Sequence, residues 1–171
     1  MPLERFAAAW REAYVSQATA NERAGDGGEC VFCGLLAQGA NEDSGVVAIS
    51  DFAFCVLNAF PYGSGHLLVL PRRHLARLDE LTTEEASDFF ALVRTAASAL
   101  ESAYHPDGMN IGLNLGRAAG AGIPQHLHAH ALPRWSGDTN FMTSLGETRV
   151  LPESLASTWS KVRAAWPLAD D

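Results

Sequence analysis

Gln125-His126-Leu127-His128-Ala129-His130-Ala131-Leu132-Pro133-Arg134 decides how this chain is read. Three of its six histidines stand here on alternate residues, with only small or apolar residues between them. Successive side chains of a strand point to opposite faces. A strand over this stretch therefore turns His126, His128 and His130 one way and packs Leu127, Ala129 and Ala131 into a core behind them. A face made of imidazoles has little packing value and carries protonation costs, so the pattern points to chemistry rather than to core filling.

Immediately upstream, Met109 to Gly116 alternates strictly, apolar on odd positions and Asn or Gly on even ones, which predicts a strand with one polar, uncrowded face. The glycine-rich loop Arg117 to Pro124 leads from it into the histidine stretch, so the two segments form one hairpin with Asn114 near the imidazoles. Further back, Thr82-Thr83-Glu84-Glu85 has capping-box spacing. Phe89, Val93, Ala96, Leu100 and Tyr104 follow on one face, predicting a long helix to His105 that Pro106-Asp107-Gly108 stops. Val46 to Ile49, Phe52 to Leu57 and His66 to Leu70 read as antiparallel strands, the last two joined by the turn residues Asn58 to Gly65. Leu3, Phe6, Trp10 and Tyr14 predict an N-terminal amphipathic helix over about 3–18. Pro152 opens a C-terminal one over about 152–166, with Leu155, Trp159, Val162 and Trp166 on one side. Strands and helices do not alternate as in parallel βαβ units, so the expected class is α+β, an antiparallel sheet with helices packed on it.

At 171 residues, 47% hydrophobic and 19% charged, the chain reads as one soluble globular domain spanning 1–171, its core about 28–145. A net charge of −8 with only 12 Lys and Arg leaves no basic footprint, which argues against nucleic acid as a partner. No apolar run reaches the ~20 residues needed to cross a bilayer, and Met1-Pro2-Leu3-Glu4-Arg5 does not resemble a secretory signal. No membrane partner and a cytoplasmic location are therefore expected. Three cysteines, two of them spaced as Cys30-Val31-Phe32-Cys33, suit a reducing compartment. The pair alone leaves structural metal, redox and chance readings open, and Cys55 reads as a core residue.

Co-facial imidazoles can bind a metal, or one can act as a nucleophile while its neighbours stabilise charge. A single ion held by all three is disfavoured, because their outer Cα atoms lie four strand steps of ~3.3 Å, or ~13 Å, apart. Gly116, Gly120 and Gly122, with the amide of Asn114, allow backbone N–H groups to approach phosphate oxygens closely. His66 reads as a support for its strand, His105 as an exposed residue at a helix end. Arg72, Arg73 and Arg134 are either solvated residues flanking strands or cations that gather an anionic substrate.

With these residues in view, the chain resembles the histidine triad superfamily of nucleotidyl hydrolases and transferases. The resemblance rests on His126 to Arg134, on Asn114-Leu115-Gly116 with Gly120 to Gly122, and on Leu57 to His74, which is similar to the family's ribose-binding strand, turn and Gly-His strand. Trp10-Arg11 and Tyr14 ahead of the Cys-x-x-Cys pair, and Pro133-Arg134-Trp135 to Asn140-Phe141, are similar to a zinc-bearing bacterial branch that includes actinobacterial diadenosine tetraphosphate phosphorylase-like proteins.

That resemblance implies roles. His128 is the nucleophile, attacking the α-phosphate of a nucleotide to form a nucleotidyl-histidine that water or phosphate resolves, and His130 and His126 complete the catalytic set. Asn58 is implied at the ribose hydroxyls and Asn114, Gly120 and Gly122 at the phosphates. Phe32 and Leu35 either wall the base pocket or simply pack the core. Cys30, Cys33, His74 and His126 are implied as the ligands of a structural zinc, a donor set that tetrahedral zinc prefers. A homodimer is implied as well. The family's Ser, Thr or Gln shortly before the first histidine is replaced here by Ala121-Gly122-Ile123-Pro124, which leaves hydrolysis and phosphorolysis both open. The alternatives to a dinucleoside polyphosphate enzyme are a nucleotide-binding module without turnover and a nucleoside phosphoramidate hydrolase.

Overall fold

The computed structural model describes residues 30–138 and 153–167, all within one compact unit. The helix expected over about 3–18 lies outside the described residues. Among those described, three helices and five strands form an α+β fold: α1 (Val31–Ala37), β1 (Val46–Ile49), β2 (Ala53–Leu57), β3 (Leu67–Pro71), α2 (Thr83–Tyr104), β4 (Gly108–Leu113), β5 (Ala129–Arg134) and α3 (Leu155–Ala164). The sheet is antiparallel throughout, in the order β1-β2-β3-β5-β4. No helix among these residues is long and apolar enough to cross a membrane.

The central strands β2 and β3 are apolar at every position and buried on both faces. Their alternation divides two cores. Ala53, Cys55, Leu57, Leu67, Val69, Ala129 and Ala131 meet Phe89, Val93, Ala96 and Leu100 of α2 and Val162 of α3. Phe54, Val56, Leu68 and Leu70 face the other way, against Phe32 of α1. Cys55 is fully buried, as its sequence suggested, and burial pushes its thiol pKa up. In the β3–β5 ladder His130 lies opposite Leu68, so it stands on the α1 side, the face that the long helix leaves free.

The long helix starts where its capping box placed it. Thr82 Oγ1 accepts from the N–H of Glu85 at 3.2 Å, and the Glu85 carboxylate accepts from the N–H of Thr82 at 2.9 Å. It ends with His105 in a left-handed turn at φ 44°, whose N–H reaches Glu101 O. The C-terminal helix runs from Leu155 with Ser154 as its cap, and Pro152, expected to open it, lies outside the described residues. Its Trp159 Nε1 donates to Val46 O at 3.1 Å, tying it to β1.

The histidine strand begins only at Ala129, so His126 and His128 precede it and His130 alone lies within it. Continuing the ladder from Val69 and Ala129 would set Leu127 opposite Pro71, which has no N–H to give, and the Pro71 carbonyl accepts instead from His126 Nε2 at 2.9 Å. Leu127 N–H turns to Leu75 O at 2.7 Å. The chain here stays extended enough to keep Leu127, His128 and Ala129 buried, but side chains and the segment after β3 hold it rather than a ladder.

Arg73, just past β3, clamps the start of α2 through paired bonds of 2.7 Å from Nε and Nη2 to the Glu85 carboxylate. The Arg73 guanidinium first, and the Thr82 amide second, hold that carboxyl down to about 2. Because its folded value lies below the ordinary glutamate value of ~4.3, the stabilisation it adds is complete above that pH and fades as pH falls towards 2. Glu85→Gln is therefore expected to lower the melting temperature at pH 7, with the gap to the parent chain closing between about pH 4.5 and 2 in a series of thermal melts. A gap independent of pH would contradict the clamp.

Candidate functional site

Cys30 caps α1 and Cys33 lies in its first turn, so the two-residue spacing sets both thiols at the same helix end. There they meet His74, just past β3, and His126. The Sγ to Nδ1 distances are 3.4 Å for Cys30 to His126, 3.5 Å for Cys33 to His74 and 3.7 Å for Cys33 to His126. All four candidate ligand atoms lie within 4.8 Å of one another. In a tetrahedral zinc site with Zn–S ≈ 2.3 Å and Zn–N ≈ 2.0–2.1 Å, sulfur and nitrogen ligands stand about 3.5 Å apart, so the observed separations fit. The ring orientation fits as well. Because a carbonyl can only accept, His126 Nε2 carries the hydrogen donated to Pro71 O, and Nδ1 turns its lone pair to the thiols. Burial, then the neighbouring Cys30, raises the Cys33 thiol, a cost that a bound cation reverses.

Directly after this cluster the imidazoles diverge in role. His128 Nδ1 donates to His126 O at 2.8 Å, which fixes its hydrogen on Nδ1 and leaves Nε2 with the lone pair. The ring is buried, 6% exposed, and burial holds its pKa below the usual histidine range. It packs 5.6 Å from Phe32 and 5.1 Å from His130, centroid to centroid. Phe32 also meets His126 edge-on at 5.7 Å, and Leu35 is partly buried against the same apolar cluster. Burial, with the His128 charge second, holds His130 down to about 4.

Sequence reasoning missed His66, which is buried and belongs to this group. Its Nδ1 accepts from the N–H of Tyr62 at 3.0 Å, so its hydrogen sits on Nε2, 2.9 Å from His130 Nδ1. His130 Nδ1 is thus an acceptor, and its own hydrogen sits on Nε2, with the Asn114 Nδ2 amino group, a second donor, 3.4 Å away. The result is a pair of opposites side by side: His128 presents a lone pair, His130 an N–H. The signal for His66 was its parity with Leu68, which opposes His130, but that pairing joins residues far apart in sequence. Gly65 sets the ring there. At φ 75° it adopts a left-handed turn, and a Cβ would come 2.9 Å from Pro133 Cγ and 3.0 Å from Tyr104 Cε2.

Asn58 braces this loop, Oδ1 accepting from the N–H of Phe60 at 2.9 Å and Nδ2 lying 3.3 Å from His66 Nδ1. Beyond Asn114, Gly116 and Gly120 take φ values of 79° and 95° around a short turn of 3₁₀ helix, so the glycine loop folds tightly, while Gly122 needs no such conformation. The three arginines considered as anion-gathering groups make structural contacts: Arg72 donates to the carbonyls of Ser50 and Asp51, Arg73 to Glu85, and Arg134 to Asp138 and Asn110. His105 is exposed at its helix end, as expected.

The chain and its fold have clear relatives. Residues 40–137 match the family model described as the HIT domain. Over 131 residues the chain is 38% identical to an AP-4-A phosphorylase of Mycobacterium tuberculosis, covering 77% of this chain and 67% of that protein. A bis(5'-nucleosyl)-tetraphosphatase [asymmetrical] of Schizosaccharomyces pombe is 38% identical over 82 residues, 48% of this chain and 44% of that one. Among solved structures, a Zn-bound histidine triad family protein from Mycobacterium smegmatis superposes with a TM-score of 0.65 at 29% identity, covering 81% of this chain and 93% of the other. The chain belongs to the HIT, or histidine triad, family. These relatives support activity of the nucleotide hydrolase or transferase class, and the Cys₂His₂ cluster together with the zinc-bearing neighbour points to zinc.

Proposed function

We propose that this protein is a dinucleoside polyphosphate phosphorylase or hydrolase that works through a nucleotidyl-histidine on His128. The observation that carries the proposal is the 2.8 Å bond from His128 Nδ1 to His126 O, which leaves Nε2 as an uncharged nucleophile at neutral pH. Nε2 attacks the α-phosphorus of one nucleoside, and the bond to the bridging oxygen breaks, its electron pair leaving with the rest of the polyphosphate. Phosphate or water then attacks the same phosphorus, loses a proton, and returns the electron pair to Nε2. His130 Nε2–H serves the non-bridging oxygens as charge builds on them. Asn114, Gly120 and Gly122 line the phosphate side, Phe32 and Leu35 the base, and Asn58 the ribose.

In the same proposal Cys30, Cys33, His74 and His126 hold a structural zinc, all four positions filled by protein. Bound there, the ion supplies a fixed anchor for the His126 ring. His126 takes its part in the catalytic set through its carbonyl, which orients His128. Action on small nucleotides as a homodimer in the cytoplasm completes the reading, the dimer on family resemblance and the location on the cysteine pattern and the lack of a membrane-crossing apolar run.

Incubation with diadenosine tetraphosphate, with and without inorganic phosphate, followed by chromatography, tests the activity. ADP and ATP appearing only with phosphate mark a phosphorylase, and AMP and ATP mark a hydrolase. His128→Ala is expected to lower either rate by about three orders of magnitude or more. Nucleotide binding without turnover, unaffected by His128→Ala, would overturn the proposal. For the metal, elemental analysis is expected to find one zinc per chain. Cys33→Ser is expected to lose the ion together with about 5 °C or more of melting temperature. A metal-free wild-type protein with the same melting point after chelation would contradict it.

A further inference from the structure

We propose that Tyr62 is a positioning residue for His130, holding it through both its main chain and its ring; the kinetic part of this inference rests on the activity proposed above. The tyrosine sits in the loop between β2 and β3. Its N–H donates to His66 Nδ1 at 3.0 Å, and its ring lies tilted against the His66 ring, 4.6 Å between centroids. The same ring then stacks over His130, 5.8 Å between centroids and only 21° from parallel. One residue therefore reaches both members of the His66–His130 pair.

The two contacts do different things. The main-chain N–H can only donate, so it compels His66 to carry its hydrogen on Nε2 and to give it to His130 Nδ1 at 2.9 Å. That sets which nitrogen of His130 bears the hydrogen but leaves the imidazole able to rock about the bond. His130 meets Asn114 at its Nε2 edge and the His128 ring nearly at right angles, 70° between planes. Neither contact covers a ring face. The Tyr62 ring lies along one in an offset parallel arrangement, and an aromatic stacked in this way resists rotation of the imidazole out of plane. The loop can bear this load because Asn58 pins it from within, its N–H donating to His66 O at 3.0 Å and its Oδ1 accepting from Phe60 N–H. Both contacts come from the main-chain N–H and the ring, so a phenylalanine retains them.

The test compares Tyr62→Ala and Tyr62→Phe, with melting temperatures to establish folding. With diadenosine tetraphosphate as substrate, Tyr62→Ala is expected to lower kcat about tenfold with KM within about twofold, and Tyr62→Phe to restore kcat. Nitrogen-15 NMR of the histidine rings gives a readout that needs no turnover. In the wild type, His130 should show a protonated Nε2 and an unprotonated Nδ1, and in Tyr62→Ala its signals should broaden or average while Tyr62→Phe retains them. If Tyr62→Ala fails to fold, Tyr62→Leu, which keeps bulk without an aromatic face, takes its place with the same expectation. A raised KM with unchanged kcat would make Tyr62 a substrate contact and overturn the proposal, as would His130 signals identical to wild type in the truncated variant. A wild-type protein that never turns the substrate over defeats the activity reading alone, because the NMR comparison still decides the role of Tyr62.

Discussion

The site depends on the three bonds that His126 can make at once. Its Nε2–H donates to the carbonyl of Pro71, its Nδ1 points at the thiols of Cys30 and Cys33, and its own carbonyl receives Nδ1–H of His128. Each constrains the next. A carbonyl at Pro71 dictates the tautomer, the tautomer directs the lone pair to the cysteines, and the backbone position so fixed dictates the tautomer of His128. The fold makes this possible by ending the β3–β5 ladder at a proline, whose carbonyl is left for a side chain.

Beside that chain of constraints runs another from the far end of β3. Tyr62, His66 and His130 form a second hydrogen-bonded line whose polarity is opposite, because it ends in an N–H rather than a lone pair. Neutral imidazoles are required throughout, and burial supplies them by holding His126, His128 and His130 below the ordinary histidine range. In the proposed reading, three residues of one kind become a metal-facing ring, a nucleophile and a donor without any change of residue type. Polar neighbours decide the assignment, and the rings of Phe32 and Phe54 pack against His126 and, for Phe32, His128.

Much of this was legible in the residues. The alternation of His126, His128 and His130 announced a shared face, and the Thr82–Glu85 box marked the start of the long helix, because both signals are local. The early end of the ladder was not legible, since Pro71 disrupts it only once β3 is known to neighbour β5. His66 escaped for the same reason: nothing near it in sequence tells that it will meet His130. The roles of Asn58 and the arginines were underdetermined too, for polar side chains find partners that only the folded loop supplies. The grouping of Cys30 and Cys33 with His74 came from family resemblance, and the Sγ to Nδ1 distances give it a physical basis.

The central claim is that His128 Nε2 is the atom that attacks. It is tested most directly by quenching the protein in base during turnover of diadenosine tetraphosphate and mapping the modified peptide by mass spectrometry, conditions under which a phosphorus–nitrogen bond to histidine survives. The account predicts one adenylyl group per chain, on His128, absent from His128→Ala. An adenylyl group on His126 or His130, or rapid turnover with no histidine modified, would contradict it.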